Sequence, residues 1–210
     1  MGGYQQYRYE MFDLDPERPL KIIGQQMFDH AAEHGFPPDF FTNSFFENVD
    51  FHQIPEGADC SCSRFQGCTF RGPIEKCVFD DAALYDCIFE RAELRMVNFT
   101  GASIAHTRFR GSGLTFVSFL DARLKGGYMR DCSFDIVDFK GAFIDGTWIG
   151  RAKAGYVLNL HHASITQGGA SQKEADDLRL SIFRALRVYP HPVKLRPPAP
   201  RRKKGRAPER

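Results

Sequence analysis

Large apolar residues return at every fifth position of this chain between residues 79 and 149, without one polar interruption. A helix repeats every 3.6 residues and a strand every 2, so neither element alone explains a period of five. Two places before each large residue stands a small or β-branched one, from Cys77 to Thr147. The large positions are Phe79, Leu84, Phe89, Leu94, Phe99, Ile104, Phe109, Leu114, Phe119, Leu124, Met129, Phe134, Phe139, Ile144 and Ile149.

A second period of twenty residues lies inside the first. One column of matching residues reads Phe79, Phe99, Phe119 and Phe139, and another reads Ala82, Ala102, Ala122 and Ala142. Residues that match at this step should stack on one another, so the chain is predicted to wind a square coil with four sides of five residues. The backbone groups of each side then pair with the next coil, about 4.8 Å away.

The repeat continues with slips on both sides of its regular part. Upstream, Phe65, Phe70 and Ile74 keep the pattern with one residue missing after Phe70, and Phe46 and Phe51 indicate an earlier piece of it. Downstream, Leu160 and Ile165 rejoin it with one residue gained. Residues 60–165 are therefore predicted to form an all-β solenoid of about five coils.

The units "AALYD", "CIFER", "AELRM" and "VNFTG" follow a small-x-Leu/Phe-x-x pattern. This pattern resembles that of the pentapeptide-repeat proteins. The resemblance implies a right-handed quadrilateral β-helix. It also implies a class of partner, because the best-characterised bacterial members bind type II topoisomerases, mimic duplex DNA and protect gyrase.

The segments on either side of the coil are predicted to cover its ends. Residues 19–34 should form an amphipathic helix within an N-terminal segment, 1–59, and Leu20, Ile23, Met27, Phe28 and Ala31 share its apolar face. Residues 171–187, within a segment spanning 166–193, should form a second helix. The apolar stripe along this helix consists of Ala175, Leu178, Ile182, Ala185 and Leu186. This helix could cap the coil or pair with a second copy in a homodimer.

Charge is segregated along the chain although the net charge is only +2. Residues 1–59 carry −8, residues 60–150 carry 0, residues 151–193 carry +3 and residues 194–210 carry +7. A DNA mimic needs an acidic shaft to enter a basic groove, and the coil is neutral. We therefore predict a non-catalytic protein-interaction module, with a topoisomerase-binding DNA mimic as the alternative.

The Pro-rich basic tail, residues 194–210, is predicted to be disordered. It offers a second alternative function, which is weak contact with nucleic acid. The residues that would make this contact are Arg201, Arg202, Lys203, Lys204 and Arg206.

The composition places the chain in the cytoplasm with reduced thiols. No run of 18 apolar residues and no signal peptide are found, so neither a membrane span nor export is expected. Four of the six cysteines occupy the small position of the repeat, where a thiol acts as a small apolar group: Cys68, Cys77, Cys87 and Cys132. Cys60 and Cys62 form an isolated C-x-C, which is interpreted as structural rather than metal-binding.

Two histidine motifs resemble the patterns of catalytic or metal-binding sites. "HAAEH" at His30–His34 matches the H-x-x-E-H zinc motif of inverted metalloproteases. No third ligand is indicated and the predicted helix ends at Gly35, so a cap helix is the preferred interpretation. His161 and His162 lack carboxylate or thiol partners at ligand spacing. The chain is thus predicted to be a non-enzyme without metal or cofactor.

One side of the predicted rod differs from the other three. On the side centred on Phe89, Phe109, Met129 and Ile149, the outward ladders bring together the candidate binding residues Arg108, Arg110, Tyr128, Arg130 and Trp148. Trp, Tyr and Arg dominate binding hot spots. They also favour ordinary exposed β surfaces, so a docking face and a plain surface both remain open.

Overall fold

The computed structural model describes residues 21–166 and 172–186. Within them the chain forms a β-solenoid of about seven turns with four faces, so the predicted fold class is confirmed. Every strand pair is parallel and joins one turn to the next. At about 4.8 Å per turn the rod is about 34 Å long.

The first face is a sheet of eight short strands, one from each passage of the chain. In chain order they are Lys21–Ile23, Ser44–Glu47, Arg64–Gln66, Ala83–Tyr85, Ser103–Ala105, Arg123–Lys125, Phe143–Asp145 and Ser164–Thr166. Each of these strands places one large side chain toward the axis. The register stacks these side chains in the order Ile23, Phe46, Phe65, Leu84, Ile104, Leu124, Ile144 and Ile165.

The other ten strands form a second sheet that wraps around the rest of the rod. The second face holds Asp50–Phe51, Arg108–Arg110, Tyr128–Arg130 and Trp148–Gly150. Two longer strands, Thr69–Glu75 and Ile88–Arg95, turn the corner onto the third face. The remaining strands, on the third and fourth faces, are Gly113–Ser118, Ser133–Asp138, Lys153–Ala154 and Val157–Leu158.

Stacked aromatic rings fill the axis of the rod. All fifteen large residues of the regular repeat are buried, and none exposes more than 3% of its surface. The rings of Phe99 and Phe119 lie 5.2 Å apart at an interplanar angle of 6°, and those of Phe89 and Phe109 lie 4.4 Å apart at 1°. The predicted columns are therefore confirmed at these positions.

The small residues occupy the corners, where they also satisfy backbone groups of the neighbouring turn. The Ser112 hydroxyl donates to the carbonyl of Phe89 at 3.0 Å, and the Thr147 hydroxyl donates to that of Gly126 at 2.7 Å. A buried hydroxyl without a partner would be costly. These hydrogen bonds explain why Ser and Thr can replace Ala at a buried corner.

The coil is longer than the predicted five turns because it begins before residue 60. Lys21–Ile23 and Ser44–Glu47 already pair within the first sheet. Ile23 aligns with Phe46, and Phe46 aligns with Phe65, at separations of 23 and 19 residues. The separation of 23 residues departs from the twenty-residue period, so the sequence pattern does not reveal the first turn, whereas Phe46 and Phe51 indicate part of the second.

Both slips in the repeat are absorbed at corners. The register shifts by one residue between Phe70 and Gly72, where the sequence lacks one residue. The gained residue lies near Asn159, which takes a φ of 54° and donates from Nδ2 to Oδ1 of Asp138 at 2.8 Å. Asn tolerates this left-handed conformation better than most residues. The turns on either side therefore stay in phase.

The N-terminal helix is shorter than predicted. It spans Gln25–His34, whereas Lys21–Ile23 is a strand and Leu20 lies outside the described residues. Strand pairing with the next turn overrides helix formation at the β-branched pair Ile22 and Ile23. Met27, placed on the apolar face by the sequence, is 54% exposed.

The N-terminal helix covers the end of the core through Phe28. Its ring contacts that of Phe51, the first ring of the second face, with centroids 4.9 Å apart. Phe40 and Phe41 pack on Phe46 beside it. The predicted capping role is thus visible in the packing, although the helix begins later than expected.

The C-terminal helix, Gln172–Ala185, packs against the last strands of two faces, Trp148–Gly150 and Ser164–Thr166. Ile182, Phe183 and Leu186 are buried there, so these residues cap the coil. The side chains of Ala175 and Leu178, predicted for the same stripe, lie outside the description. Pairing of two chains through this helix stays a prediction.

Burial also sets the chemistry of the cysteines. All six thiols are free, and five are buried, whereas Cys62 is exposed. Burial raises the pKa of Cys77 and of Cys132 to about 11, mainly by desolvating the thiolate. The thiolate is the reactive form of cysteine. These side chains are therefore protected from reagents both because they are buried and because they stay protonated.

We expect Phe99→Ala to lower the free energy of unfolding by about 3–5 kcal/mol, because it removes a stacked ring from the core. Phe116→Ala is the matched control. The Phe116 side chain is 54% exposed, so its loss should cost less than about 0.5 kcal/mol. Denaturant unfolding followed by circular dichroism gives both values. A loss below about 1 kcal/mol for Phe99→Ala would contradict the packing described above.

We expect iodoacetamide at pH 8 to alkylate Cys62 in the folded protein and to leave the five buried cysteines unmodified. The pKa of about 11 at Cys77 and Cys132 keeps these thiols protonated at that pH. Peptide mass spectrometry after alkylation in buffer and in denaturant identifies the reactive sites. Rapid native alkylation of Cys77 or Cys132 would show that the corners are open to solvent.

Candidate protein-binding face

The structure brings all five candidate binding residues onto the second face of the rod. Strand pairing aligns Arg108 with Tyr128 and Tyr128 with Trp148, and it aligns Arg110 with Arg130. We call Arg108, Arg110, Tyr128, Arg130 and Trp148 the arginine-aromatic face. What this face binds stays a prediction.

The alternation of the strands makes these side chains point outward. Phe109 and Met129 are the inward residues of their strands, so the residues on either side of each must face solvent. Trp148 is 40% exposed, which is high for the largest apolar side chain. The arginine-aromatic face therefore combines cationic and aromatic groups at positions set by strand register.

The upper part of this face carries alternating charges. Arg71 forms an ion pair with Asp50 and a second with Glu90, whose oxygen lies 3.4 Å from Arg71 Nη2. Glu90 also lies 4.0 Å from Arg110 Nη1. These pairs raise the pKa of Arg71, first through its hydrogen bond to Asp50. They are exposed, so each contributes little to folding.

The lower part of the face carries an excess of positive charge. Asp131 is shared between Arg130 Nε, at 3.2 Å, and Arg151 Nε, at 3.1 Å. Within the described part of the chain, Arg108 forms no ion pair. From Glu90 to the end of the face, the two carboxylates Glu90 and Asp131 are thus outnumbered by four arginines, Arg108, Arg110, Arg130 and Arg151.

The indole of Trp148 lies across Gly150, a feature that the sequence pattern did not reveal. A Cβ atom at Gly150 would approach Trp148 Cζ2 to 2.1 Å, so only glycine leaves room for the ring in this position. The ring therefore folds over the end of the column that contains Arg110 and Arg130. The sequence does contain a Trp-x-Gly spacing, but this spacing indicates contact between the ring and the glycine only for one rotamer of Trp148.

Gly127 sets the backbone that leads into Tyr128. It occupies a corner where the other turns carry Cys, Thr or Val, and a Cβ there would lie 2.1 Å from the carbonyl oxygen of Thr107. Its φ of +77° also disfavours any other residue. Close approach of two turns at this corner therefore requires glycine.

A shallow depression of about 180 Å³ lies at the edge of the face. It is lined by Glu90, Arg91, Arg110, Gly111 and Asp131. Both signs of charge surround it, so it suits a mixed polar contact better than a buried small molecule.

The histidine motifs have simple structural settings. The rings of His30 and His34 are exposed and 4.2 Å apart, and His34 Nδ1 lies 2.9 Å from the carbonyl oxygen of His30. The adjacent His161 and His162 lie in a short 3-10 helix, Leu160–His162. Across residues 21–166 and 172–186, no group of three or more His, Cys, Asp or Glu side chains is placed to hold a metal ion.

The arginine-aromatic face, as defined by its five residues, includes neither the C-x-C cysteines nor the basic tail nor the two helices. Cys60 is buried and Cys62 exposed, so the two thiols of the C-x-C occupy different environments. The tail residues proposed for nucleic acid, Arg201, Arg202, Lys203, Lys204 and Arg206, lie outside the described residues. Neither helix in the described ranges is long and apolar enough to cross a membrane.

The comparisons with known proteins agree with this architecture. A family model described as pentapeptide repeats matches residues 77–115 in eight copies. No curated protein matches the chain.

Several solved structures resemble the chain in fold. A trypsin-treated form of QnrB1, described as a plasmid-mediated fluoroquinolone resistance protein, is 22% identical to this chain in sequence, with a TM-score of 0.36. The match covers 59% of this chain and 70% of the QnrB1 chain. HetL from the cyanobacterium Nostoc sp. strain PCC 7120, involved in the regulation of heterocyst differentiation, is 12% identical with a TM-score of 0.26, covering 70% of this chain and 99% of that one. Rfr23 from the cyanobacterium Cyanothece 51142 is 12% identical with a TM-score of 0.20, covering 77% and 97%. These likenesses concern the fold and not what this chain binds.

We expect Gly127→Ala to destabilise the protein by at least about 1 kcal/mol more than Gly146→Ala. Both glycines have positive φ, so both substitutions share the conformational cost. Only Gly127 also meets a backbone atom, whereas nothing lies within 4 Å of a Cβ at Gly146. Thermal melts of the two variants test the difference. Equal stabilities would mean that the two turns can separate at this corner without cost.

Proposed function

Because this chain belongs to the pentapeptide-repeat family, we propose that it is a non-catalytic protein-interaction module whose arginine-aromatic face docks onto an acidic protein surface. The observation that carries this proposal is the combination of Trp148, which is 40% exposed, with Arg108, which has no ion pair in the described structure. Both side chains are free to make contacts that the isolated rod does not satisfy. Large aromatic groups and arginine are also the residues that contribute most to binding energy.

The rigidity of the rod supports a docking role. Residues of the arginine-aromatic face are fixed by hydrogen bonds between turns, such as Tyr128 N to Thr107 O at 3.2 Å. A surface that is already ordered loses little conformational entropy on binding, so more of the contact energy appears as affinity.

The charge of the face supports an acidic partner. From Glu90 onward the face carries four arginines, Arg108, Arg110, Arg130 and Arg151, and two carboxylates, Glu90 and Asp131, of which Arg130 shares Asp131 with Arg151. An acidic partner would pair with Arg108 and Arg130 without displacing the alternating pairs above. Positive potential would also speed the encounter, chiefly at low salt.

The absence of catalytic function is part of the same proposal. Burial raises the pKa of Cys60, Cys77, Cys87 and Cys132, which makes these thiols poor nucleophiles. The exposed pair His30 and His34 lies on the capping helix itself and borders an open depression lined mainly by apolar residues such as Met27 and Pro37. These groups are explained by packing and capping.

A type II topoisomerase that recognises a DNA mimic would bind a different surface of the rod. DNA mimicry needs negative charge along the shaft, and the arginine-aromatic face has the opposite sign. A topoisomerase captured through another face would support the DNA-mimic alternative rather than this proposal.

We expect Arg108→Glu with Arg130→Glu to reduce partner capture at least tenfold while leaving the melting temperature within about 2 °C of wild type. Quantitative mass spectrometry of proteins retained on the immobilised full-length chain provides the measurement. The matched control is Arg123→Glu with Lys125→Glu, which makes the same charge change on the eight-stranded sheet.

Each result of this experiment decides between surfaces. A partner lost with the first pair of substitutions and kept with the second supports docking on the arginine-aromatic face. A partner kept by both variants places the binding surface elsewhere. A chain that ends at Pro192 tests the tail, and loss of nuclease-sensitive binding with that truncation would favour nucleic-acid contact instead.

A further inference from the structure

One corner of the rod carries exposed apolar residues in place of the polar or glycine residues found at the other corners. Between the third and fourth faces, Met96, Phe116, Ile136 and Tyr156 follow one another at a step of twenty residues. Met96 is 51% exposed, Phe116 54% and Tyr156 70%, and Ile136 is half-buried. We call these four residues the apolar corner.

The backbone at this corner is unfavourable for the side chains that it carries. Met96, Phe116 and Ile136 have φ values of 54°, 55° and 54°, in the left-handed region. A bulky or β-branched residue is rare in that region. The corresponding corner between the fourth and first faces uses Asp81, Gly101, Asp121 and Gly141, which suit the same conformation. Residues that are both strained and exposed point to a role outside the folding of the single chain.

We propose that the apolar corner is a contact between two copies of this chain, packed side by side and antiparallel. A two-fold axis perpendicular to both rods passes beside Phe116. It places Phe116 against Phe116 of the second copy. A turn that lies before Phe116 in one copy then faces the turn that lies equally far after Phe116 in the other copy, because all turns are evenly spaced.

The apolar residues match under this operation. Met96 of one copy faces Ile136 of the other, and the reverse contact follows by symmetry. Tyr156 faces Lys76, the residue that continues the corner one turn before Met96 and that also has a positive φ of 55°. A lysine beside a tyrosine ring makes a favourable cation–π contact. The corner is therefore complementary to itself from end to end.

The charges beside the corner match in the same way. On the third face Arg95, Thr115 and Asp135 are aligned in successive turns. The two-fold axis keeps this column on the same side, so Arg95 of each copy faces Asp135 of the other. Neither side chain has an ion pair among the described residues, and both are exposed. Two ion pairs thus form across the contact.

The column on the other side of the corner is also compatible. Val78, Asn98, Ser118, Asp138 and Leu158 are aligned on the fourth face. The axis places Val78 against Leu158, which is 42% exposed, and Asn98 against Asp138. Apolar residues meet apolar ones, and an amide meets a carboxylate.

A parallel arrangement of two copies fits less well. A two-fold axis along the rods would place the third face of one copy beside the fourth face of the other. Asp135 would then face Asp138 of the second copy, and two like-charged pairs would be created. Repulsion between them selects the antiparallel arrangement.

The expected dimer is weak because the contact is narrow. Five turns span only about 20 Å, and stable dimers usually bury about 800 Å² on each partner. We expect a Kd of about 100 µM, so the contact forms at high local concentration. This contact does not involve the C-terminal helix, whose residues Ile182, Phe183 and Leu186 are already buried in the cap.

Sedimentation equilibrium of the full-length chain at concentrations up to about 0.5 mM tests the apolar corner. We expect Phe116→Asn to weaken the dimer at least tenfold. Asn suits the backbone there, since Asn43 and Asn48 take φ values of 50° and 54° in this chain. Phe143→Asn, at a residue 41% exposed on the eight-stranded sheet, is the matched control and should leave the Kd unchanged.

A charge exchange tests the orientation. Arg95→Asp and Asp135→Arg should each weaken the dimer, since each places like charges opposite one another. The double variant should restore the wild-type Kd within about twofold. A monomeric wild type at about 0.5 mM, or a dimer unaffected by Phe116→Asn, would overturn the proposal. So would a dimer that is lost with Leu180→Asn and kept with Phe116→Asn, because it would place the contact on the C-terminal helix. None of these results bears on the arginine-aromatic face, whose test is partner capture.

Discussion

The hydrogen bonds between successive turns are the constraint on which the rest of the structure depends. Each strand of three or so residues is too short to be stable alone, and each pairs in parallel with the same side of the next turn. Pairing fixes the repeat at about twenty residues. Once it is fixed, every position must lie above a counterpart, and side chains can stack only with residues of compatible size. The phenylalanine columns are a consequence of this register, and their contacts in turn reinforce it.

The sequence predicted the regular part of the fold because each turn obeys the same packing rule. Residues from Phe79 to Ile149 follow the period without interruption, and all of their inward side chains are buried. Of the two earliest turns, the second was indicated in part by Phe46 and Phe51, and the first was missed because its separation of 23 residues departs from the period. In the first of them a helix is inserted between Ile23 and Phe46, and the chain returns to register only through strand pairing. Local propensity alone could not show this, because the partner of Ile22 and Ile23 is remote in sequence.

The sequence predicted which side chains of the arginine-aromatic face point outward, but it did not predict which side chains contact one another. Alternation placed Arg108, Tyr128 and Trp148 in one outward column, and the register agrees. The indole of Trp148 over Gly150 depends on a rotamer, and the sharing of Asp131 by Arg130 and Arg151 depends on the shape of a corner. These contacts depend on residues of the adjacent turn, about twenty positions away, and on corner residues next to the face. They change which arginines are available to a partner.

The slips at Phe70 and Asn159 show that each corner tolerates a change of one residue without disturbing the turns beyond it. Since each turn contacts only the turns next to it, the length of the rod is set by the number of residues in the repeat. Duplicating any regular stretch of twenty residues would move the two capping helices apart by about 4.8 Å and leave both ends intact. Such a rod can lengthen or shorten during evolution in steps of one turn. The distance between the groups bound at its two ends can therefore change while the packing of the core stays the same.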